Sequence, residues 1–159
     1  GRDWSSDVCS SDLLGLCHSM AHKLGAAFNI PHGVANALLI CQVIRYNSSD
    51  APVKQAAFAQ YEYPNAKERY GQIANQLKLG GKNDDEKVDL LIEAIQNLKK
   101  EINIPLSIKD YGVSEQDFYA KLDELVEMAF DDQCTGANPR YPLMKEIKEL
   151  YIKAYEGTV

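Results

Sequence analysis

GLCHSMAHKLGAAFNIPHGVANALLICQVIRYN, residues 15–47, is the stretch whose reading decides the fold. Apolar side chains from Leu14 to Leu24 recur at helical spacing, and Gly25 is expected to end that helix. Residues 26–33 contain Pro31 and Gly33, which punctuate the chain strongly. From Val34 to Tyr46 the sequence is apolar nearly all round (Val34, Ala35, Ala37, Leu38, Leu39, Ile40, Val43, Ile44). A helix that hides most of its circumference belongs in the middle of a bundle, so a buried central helix is predicted here.

The same periodicity continues outward. Residues 50–60 predict a short helix opened by Pro52. Residues 65–79 place Ala66, Tyr70, Ile73, Ala74 and Leu77 on one face and are expected to stop at Gly80-Gly81. After Asp84 and Asp85, suited to a helix N-terminus, Val88, Leu91, Ile92, Ile95, Leu98 and Ile102 form a stripe that Pro105 is expected to end. Ser107 to Val113 reads as a connector. Ser114 followed by Asp117 resembles a capping box ahead of Phe118, Leu122, Leu125, Val126 and Ala129. A polar turn, Asp131 to Tyr141, precedes a last helix carrying Leu143, Ile147, Leu150, Tyr151 and Ala154. No period-2 segment and no Asn-Gly or Asp-Gly hairpin turn interrupts this pattern. The expected fold is all-α, a multi-helix bundle spanning residues 14–159. Upstream, GRDWSSDVCSSDL (1–13) is Ser/Asp-rich and lacks a helical stripe, and reads as a non-native or disordered leader outside the fold.

The composition narrows the function classes. Seventeen Lys and Arg stand against 23 Asp and Glu, a net charge of −6, so there is no basic stripe for a phosphate backbone and nucleic acid is excluded as a partner. The longest apolar run is broken by Asn36 and Gln42 and is too short for a bilayer, so no membrane partner is expected. The four cysteines (Cys9, Cys17, Cys41, Cys134) contain no CxxC pair, which suits free thiols in a reducing cytoplasm.

All three histidines lie between residues 18 and 32: His18, His22 and His32. His18 and His22, four residues apart on a predicted helix, share a face. That HxxxH spacing suits a metal-binding pair, and equally two partly buried histidines hydrogen-bonded to backbone or carboxylate. His32, between Pro31 and Gly33, sits where the backbone bends. Neutral imidazoles of this kind suit Fe(II) or Zn(II), and such an ion polarises an alcohol or carbonyl oxygen. Spacing alone indicates a site without naming a reaction.

Residues 15–47 resemble the signature of the iron-containing alcohol dehydrogenases, GxxHxxAHxxG followed by PHG. A second match, DDQCTGANPRYP (131–142), is similar to a motif near the end of the same proteins. The likeness is strongest to the alcohol dehydrogenase part of the bifunctional aldehyde–alcohol dehydrogenases and extends over residues 14–156. It implies the C-terminal helical, metal-binding domain of an NAD-dependent, iron-dependent alcohol dehydrogenase that interconverts a small primary alcohol and its aldehyde, acetaldehyde and ethanol above all. It implies His18 and His32 as two ligands of Fe(II), with Zn(II) the alternative metal. His22 is then no ligand, but a catalytic and cofactor-binding residue beside the nicotinamide. Cys134 becomes a candidate for the substrate pocket, or equally a small buried hydrophobe. Asn138-Pro139-Arg140 reads as well as a structural turn.

Several features of the family pattern are missing. No GxGxxG or similar phosphate loop occurs, so the resemblance implies that NAD is bound mainly by a domain outside this chain. The family's aspartate ligand and third histidine ligand are expected before residue 14, where no His stands and where Asp3, Asp7 and Asp12 match no motif. The chain by itself is therefore expected to be inactive. Two alternatives accompany this reading. One is a helical oligomerisation module, since the resembling bifunctional proteins form homo-oligomeric filaments. The other is a zinc-using relative like the glycerol dehydrogenases, which GLCHSMAHKLG and DDQCTGANPR argue against.

Overall fold

A computed structural model describes residues 15–49, 66–132, 135 and 142–159. The leader, the helix expected over 50–60, Cys134 and most of the 131–141 turn lie outside the described residues. Those described form seven helices and no strand: α1 (Gly15–Phe28), α2 (His32–Asn47), α3 (Ala66–Gln76), α4 (Asp84–Glu101), α5 (Ile108–Tyr111), α6 (Glu115–Asp131) and α7 (Met144–Glu156). The fold is all-α, as the periodicity predicts. No helix among the described residues is long and apolar enough to cross a membrane.

Helix α2 organises the bundle because it is buried toward two separate cores. Leu38, Leu39 and Val43 join the larger core, with Leu16, Met20 and Leu24 of α1, Ile108 of α5, Phe118, Leu122 and Leu125 of α6, and Ile147 and Tyr151 of α7. Cys41 and Ile44, on another face of α2, join a smaller core with Tyr70 and Ala74 of α3 and Val88, Leu91 and Ile92 of α4. This double burial is the reason α2 is apolar nearly all round. Polar links tie the layers together. The Tyr151 hydroxyl donates to the Met20 carbonyl at 2.8 Å, and Asn47 Nδ2 donates to the Tyr70 hydroxyl at 3.1 Å. Glu146 Oε1 accepts from both the Leu143 amide and the Tyr46 hydroxyl, joining the start of α7 to α2.

Helix ends differ from the sequence expectation. α1 runs through Gly25 to Phe28 and closes on a left-handed Asn29 (φ 54°), with the Ile30 amide donating to the Gly25 carbonyl at 3.1 Å. The same six-residue closure recurs at Lys78 (φ 57°), before Gly80-Gly81, and at Asn103 (φ 61°), before Pro105. There the Leu79 amide reaches Ala74 and the Ile104 amide reaches Lys99. Helix starts are better matched. Asn83 caps α4 through the Glu86 amide, and Ser114 caps α6 through the Asp117 amide. The expected connector 107–113 contains the short helix α5, capped by Ser107. Leu143 precedes α7 as its N-cap and is exposed.

The stripe of α4 is only half right. Val88, Leu91 and Ile92 are buried, whereas Leu98 and Ile102 are more than half exposed, and Lys99 is 4% exposed in their place. Lys99 Nζ lies 3.8 Å from Cys41 Sγ. Burial lowers its pKa from the usual lysine value, with the Cys41 and Cys17 thiols acting in the opposite direction.

Two stability measurements follow. Gly25→Ala should lower stability by about 1–3 kcal/mol in urea unfolding, because its Cβ would stand 2.9 Å from the Ile30 carbonyl oxygen. An open helical site would show the opposite sign. Lys99→Met should raise stability by roughly 1–3 kcal/mol at neutral pH, since a buried cation costs more than a packed thioether. A lowered folded-state pKa means the unfolded chain binds more protons. The wild type should therefore gain on Lys99→Met as pH rises from that lowered value toward 10.5, visible in denaturation at pH 7 and pH 10.

Candidate metal centre

His18 stands in the first turn of α1 and His32 is the first residue of α2. The three-residue turn between the helices returns the chain so that the two rings meet. Their centroids are 5.3 Å apart and their planes cross at 77°. The His18 and His22 centroids are 6.3 Å apart with planes parallel to within 1°. His18 is half-buried, while His22 and His32 are exposed.

These numbers separate the two pairs chemically. With metal–nitrogen bonds of about 2.0–2.1 Å and ring centres about 1.1 Å further out, two imidazoles on one ion at octahedral to tetrahedral angles have centroids roughly 4.4–5.2 Å apart. The His18–His32 pair, at 5.3 Å, stands at the wide edge of that range. The His18–His22 pair, stacked and a full ångström further apart, would need a nearly linear arrangement. Of the two pairs, His18 and His32 stand nearer the ring separation that a shared divalent ion would need. Among the described residues no group of three or more His, Cys, Asp or Glu side chains is arranged to hold a metal.

The surroundings favour the neutral form of His18. Burial, followed by the neighbouring His32 and His22, lowers its pKa from the ordinary 6.5, and Asp132 opposes them. A neutral ring offers a lone pair. Asp132, just after α6, pairs with Lys23 of α1 at 3.4 Å, both side chains largely covered. Asp132 marks where the DDQCTGANPRYP segment enters. Within that segment Thr135 is buried and its hydroxyl donates to the Ala129 carbonyl near the end of α6. A shallow cavity of about 330 Å³ lies beside His22, lined also by Lys23, Lys121, Glu124 and Met128. Lys121 Nζ donates to the Ala27 carbonyl at the end of α1.

Asn36 was not singled out from the sequence. Its Nδ2 lies 3.0 Å from His32 Nε2, and its place four residues beyond His32 on the same helix is the signal that would have found it.

The Fe-containing alcohol dehydrogenase family, in its C-terminal part, matches residues 8–155. The chain belongs to the iron-containing alcohol dehydrogenase family. An aldehyde-alcohol dehydrogenase of Clostridium acetobutylicum is 62% identical over 144 residues, which cover 91% of this chain and 17% of that protein. The bifunctional aldehyde-alcohol dehydrogenase of Escherichia coli K12 is 56% identical over 147 residues, 91% of this chain and 16% of that protein. The chain thus spans about one sixth of the length of these relatives. Among solved structures, an iron-containing alcohol dehydrogenase from Thermococcus thioreducens superposes with a TM-score of 0.70 at 32% identity, covering 89% of this chain and 32% of that one. The all-α bundle is thereby the C-terminal domain fold of iron-containing alcohol dehydrogenases.

An NMR titration of metal-free protein checks the electrostatics. The His18 midpoint should lie below 6.5, the ordinary imidazole value, and His32→Ala should move it upward by removing one of the groups that lower it.

Proposed function

We propose that this chain is the metal-holding helical part of an NAD- and iron-dependent alcohol dehydrogenase of the aldehyde–alcohol dehydrogenase type, interconverting ethanol and acetaldehyde in the cytoplasm. The observation that carries the proposal is the 5.3 Å approach of the His18 and His32 rings. It coincides with 62% identity to a protein named for both activities.

In this reading His18 and His32 hold a divalent iron, with Zn(II) the alternative. When bound, the ion supplies Lewis-acid polarisation of the alcohol or carbonyl oxygen. His18 contributes a ring kept neutral by burial and a position fixed by the α1 core. His32 contributes an exposed ring at the head of α2, open to approach by substrate. His22 is exposed one turn along α1 from His18, beside the cavity of about 330 Å³. In the proposal it orients the nicotinamide or relays the alcohol proton to solvent. NAD, bound mainly by residues outside this chain, would supply the hydride chemistry. Cys134 keeps its place as a candidate for the substrate pocket, and the full-length protein is proposed to form homo-oligomers. With two histidines and no further protein ligand among the described residues, the chain alone holds metal weakly and does not turn over.

Cobalt(II) titration of the purified chain tests the site. Binding should weaken at least tenfold in His18→Ala and in His32→Ala and persist in His22→Ala. Equal loss in all three variants would reject the ligand assignment. The chain loaded with Fe(II) should form no NADH from ethanol and NAD, and sustained NADH formation would reject the view that it acts only as part of a larger enzyme.

A further inference from the structure

We propose that Asn36 is a positioning residue that presets His32 for metal capture, holding its ring with the proton on Nδ1 and the lone pair on Nε2. The inference rests on the reading of His32 as a metal ligand.

Asn36 lies one turn beyond His32 on α2, so its side chain leans back over the residue it contacts. Its Nδ2 is 3.0 Å from His32 Nε2 and 3.1 Å from the His32 carbonyl oxygen. A carbonyl oxygen only accepts, so the end of the amide facing His32 is the NH2 end. An NH2 group has no lone pair to offer, so the ring nitrogen it meets carries no proton. The opposite end of the amide is fixed independently. Cys17 Sγ lies 3.7 Å from Asn36 Oδ1 and 3.7 Å from the Asn36 carbonyl oxygen. The Cys17 thiol donates toward both of these oxygens. Cys17 immediately precedes His18, and the amide that sets the His32 ring is therefore anchored beside the other proposed ligand.

A neutral histidine ring in water favours its proton on Nε2. An ion approaching Nε2 of such a ring must first displace that proton to the other nitrogen. Asn36 removes that step by holding Nε2 bare through its amide N–H, while its second contact, to the His32 carbonyl, keeps the amide in place.

Three histidines make the test direct. Long-range 1H–15N correlation of the EDTA-treated, 15N-labelled full chain, at a pH where the rings are neutral, reports each tautomer, with assignment by single replacement. The wild type should show His32 as Nδ1–H. Asn36→Asp, which only accepts, should switch it to Nε2–H, and Asn36→Leu should move it to the Nε2–H preference of a free ring. His22 should keep its tautomer throughout, and circular dichroism should show the helical content unchanged. His32 found as Nε2–H in the wild type, or unchanged in both folded variants, would overturn the role of Asn36. Paramagnetic broadening by cobalt(II) tests the underlying reading separately. His32 and His18 should broaden first. If His32 shows the expected tautomers but stays sharp, the ligand assignment fails while the Asn36 contact stands.

Discussion

The site depends on one backbone contact, the Ile30 amide closing on the Gly25 carbonyl at 3.1 Å. That contact ends α1, sends the chain through a left-handed Asn29, and allows α2 to begin at Pro31 and His32 within three residues. Glycine is needed at 25 because any Cβ there would stand 2.9 Å from the Ile30 oxygen. The requirement is for space, since Gly25 itself lies within the helix. Relaxing that approach would move the head of α2 away from α1, and the separation of the two rings would change with it. The geometry that matters chemically is thus held by a turn that contains none of the histidines.

Apolar spacing was enough to identify the bundle. All five residues of the α6 stripe and Ile147, Leu150, Tyr151 and Ala154 of α7 are buried, because each of these helices presents one uninterrupted face to one core. Spacing was less informative at α4, where Leu98 and Ile102 continue the stripe in sequence but pass beyond the small core. Lys99 turns inward there, its long apolar stem filling the space. Periodicity describes the helix that carries it and says nothing of where its neighbours stop. Helix ends were misjudged for a related reason. Gly and Pro were expected to terminate helices, whereas Asn29, Lys78 and Asn103 adopt the left-handed conformation, at an energetic cost that the closing hydrogen bonds offset.

The histidine cluster was visible in the sequence, and its division into His18 with His32 apart from His22 came there from the family resemblance, not from spacing. Spacing favoured His18 with His22, four apart on one helix. The structure brings His18 to His32 at the closer, crossing geometry, and leaves His18 and His22 stacked.

Charge around His18 is balanced in a way that follows from packing. Asp132 alone would favour an imidazolium and so compete with any cation for the ring. Lys23, one turn beyond Ser19 on α1, draws that carboxylate into an ion pair at 3.4 Å. Both groups are largely covered, so solvent screens the pair less than it would an exposed one. Burial and the neighbouring rings then prevail, and His18 stays neutral. A side chain on a rigid helix, with its lone pair free and its orientation set by the core beneath, is the state from which ligation costs least. The ion pair thus restrains a carboxylate that would otherwise stabilise the protonated His18 ring.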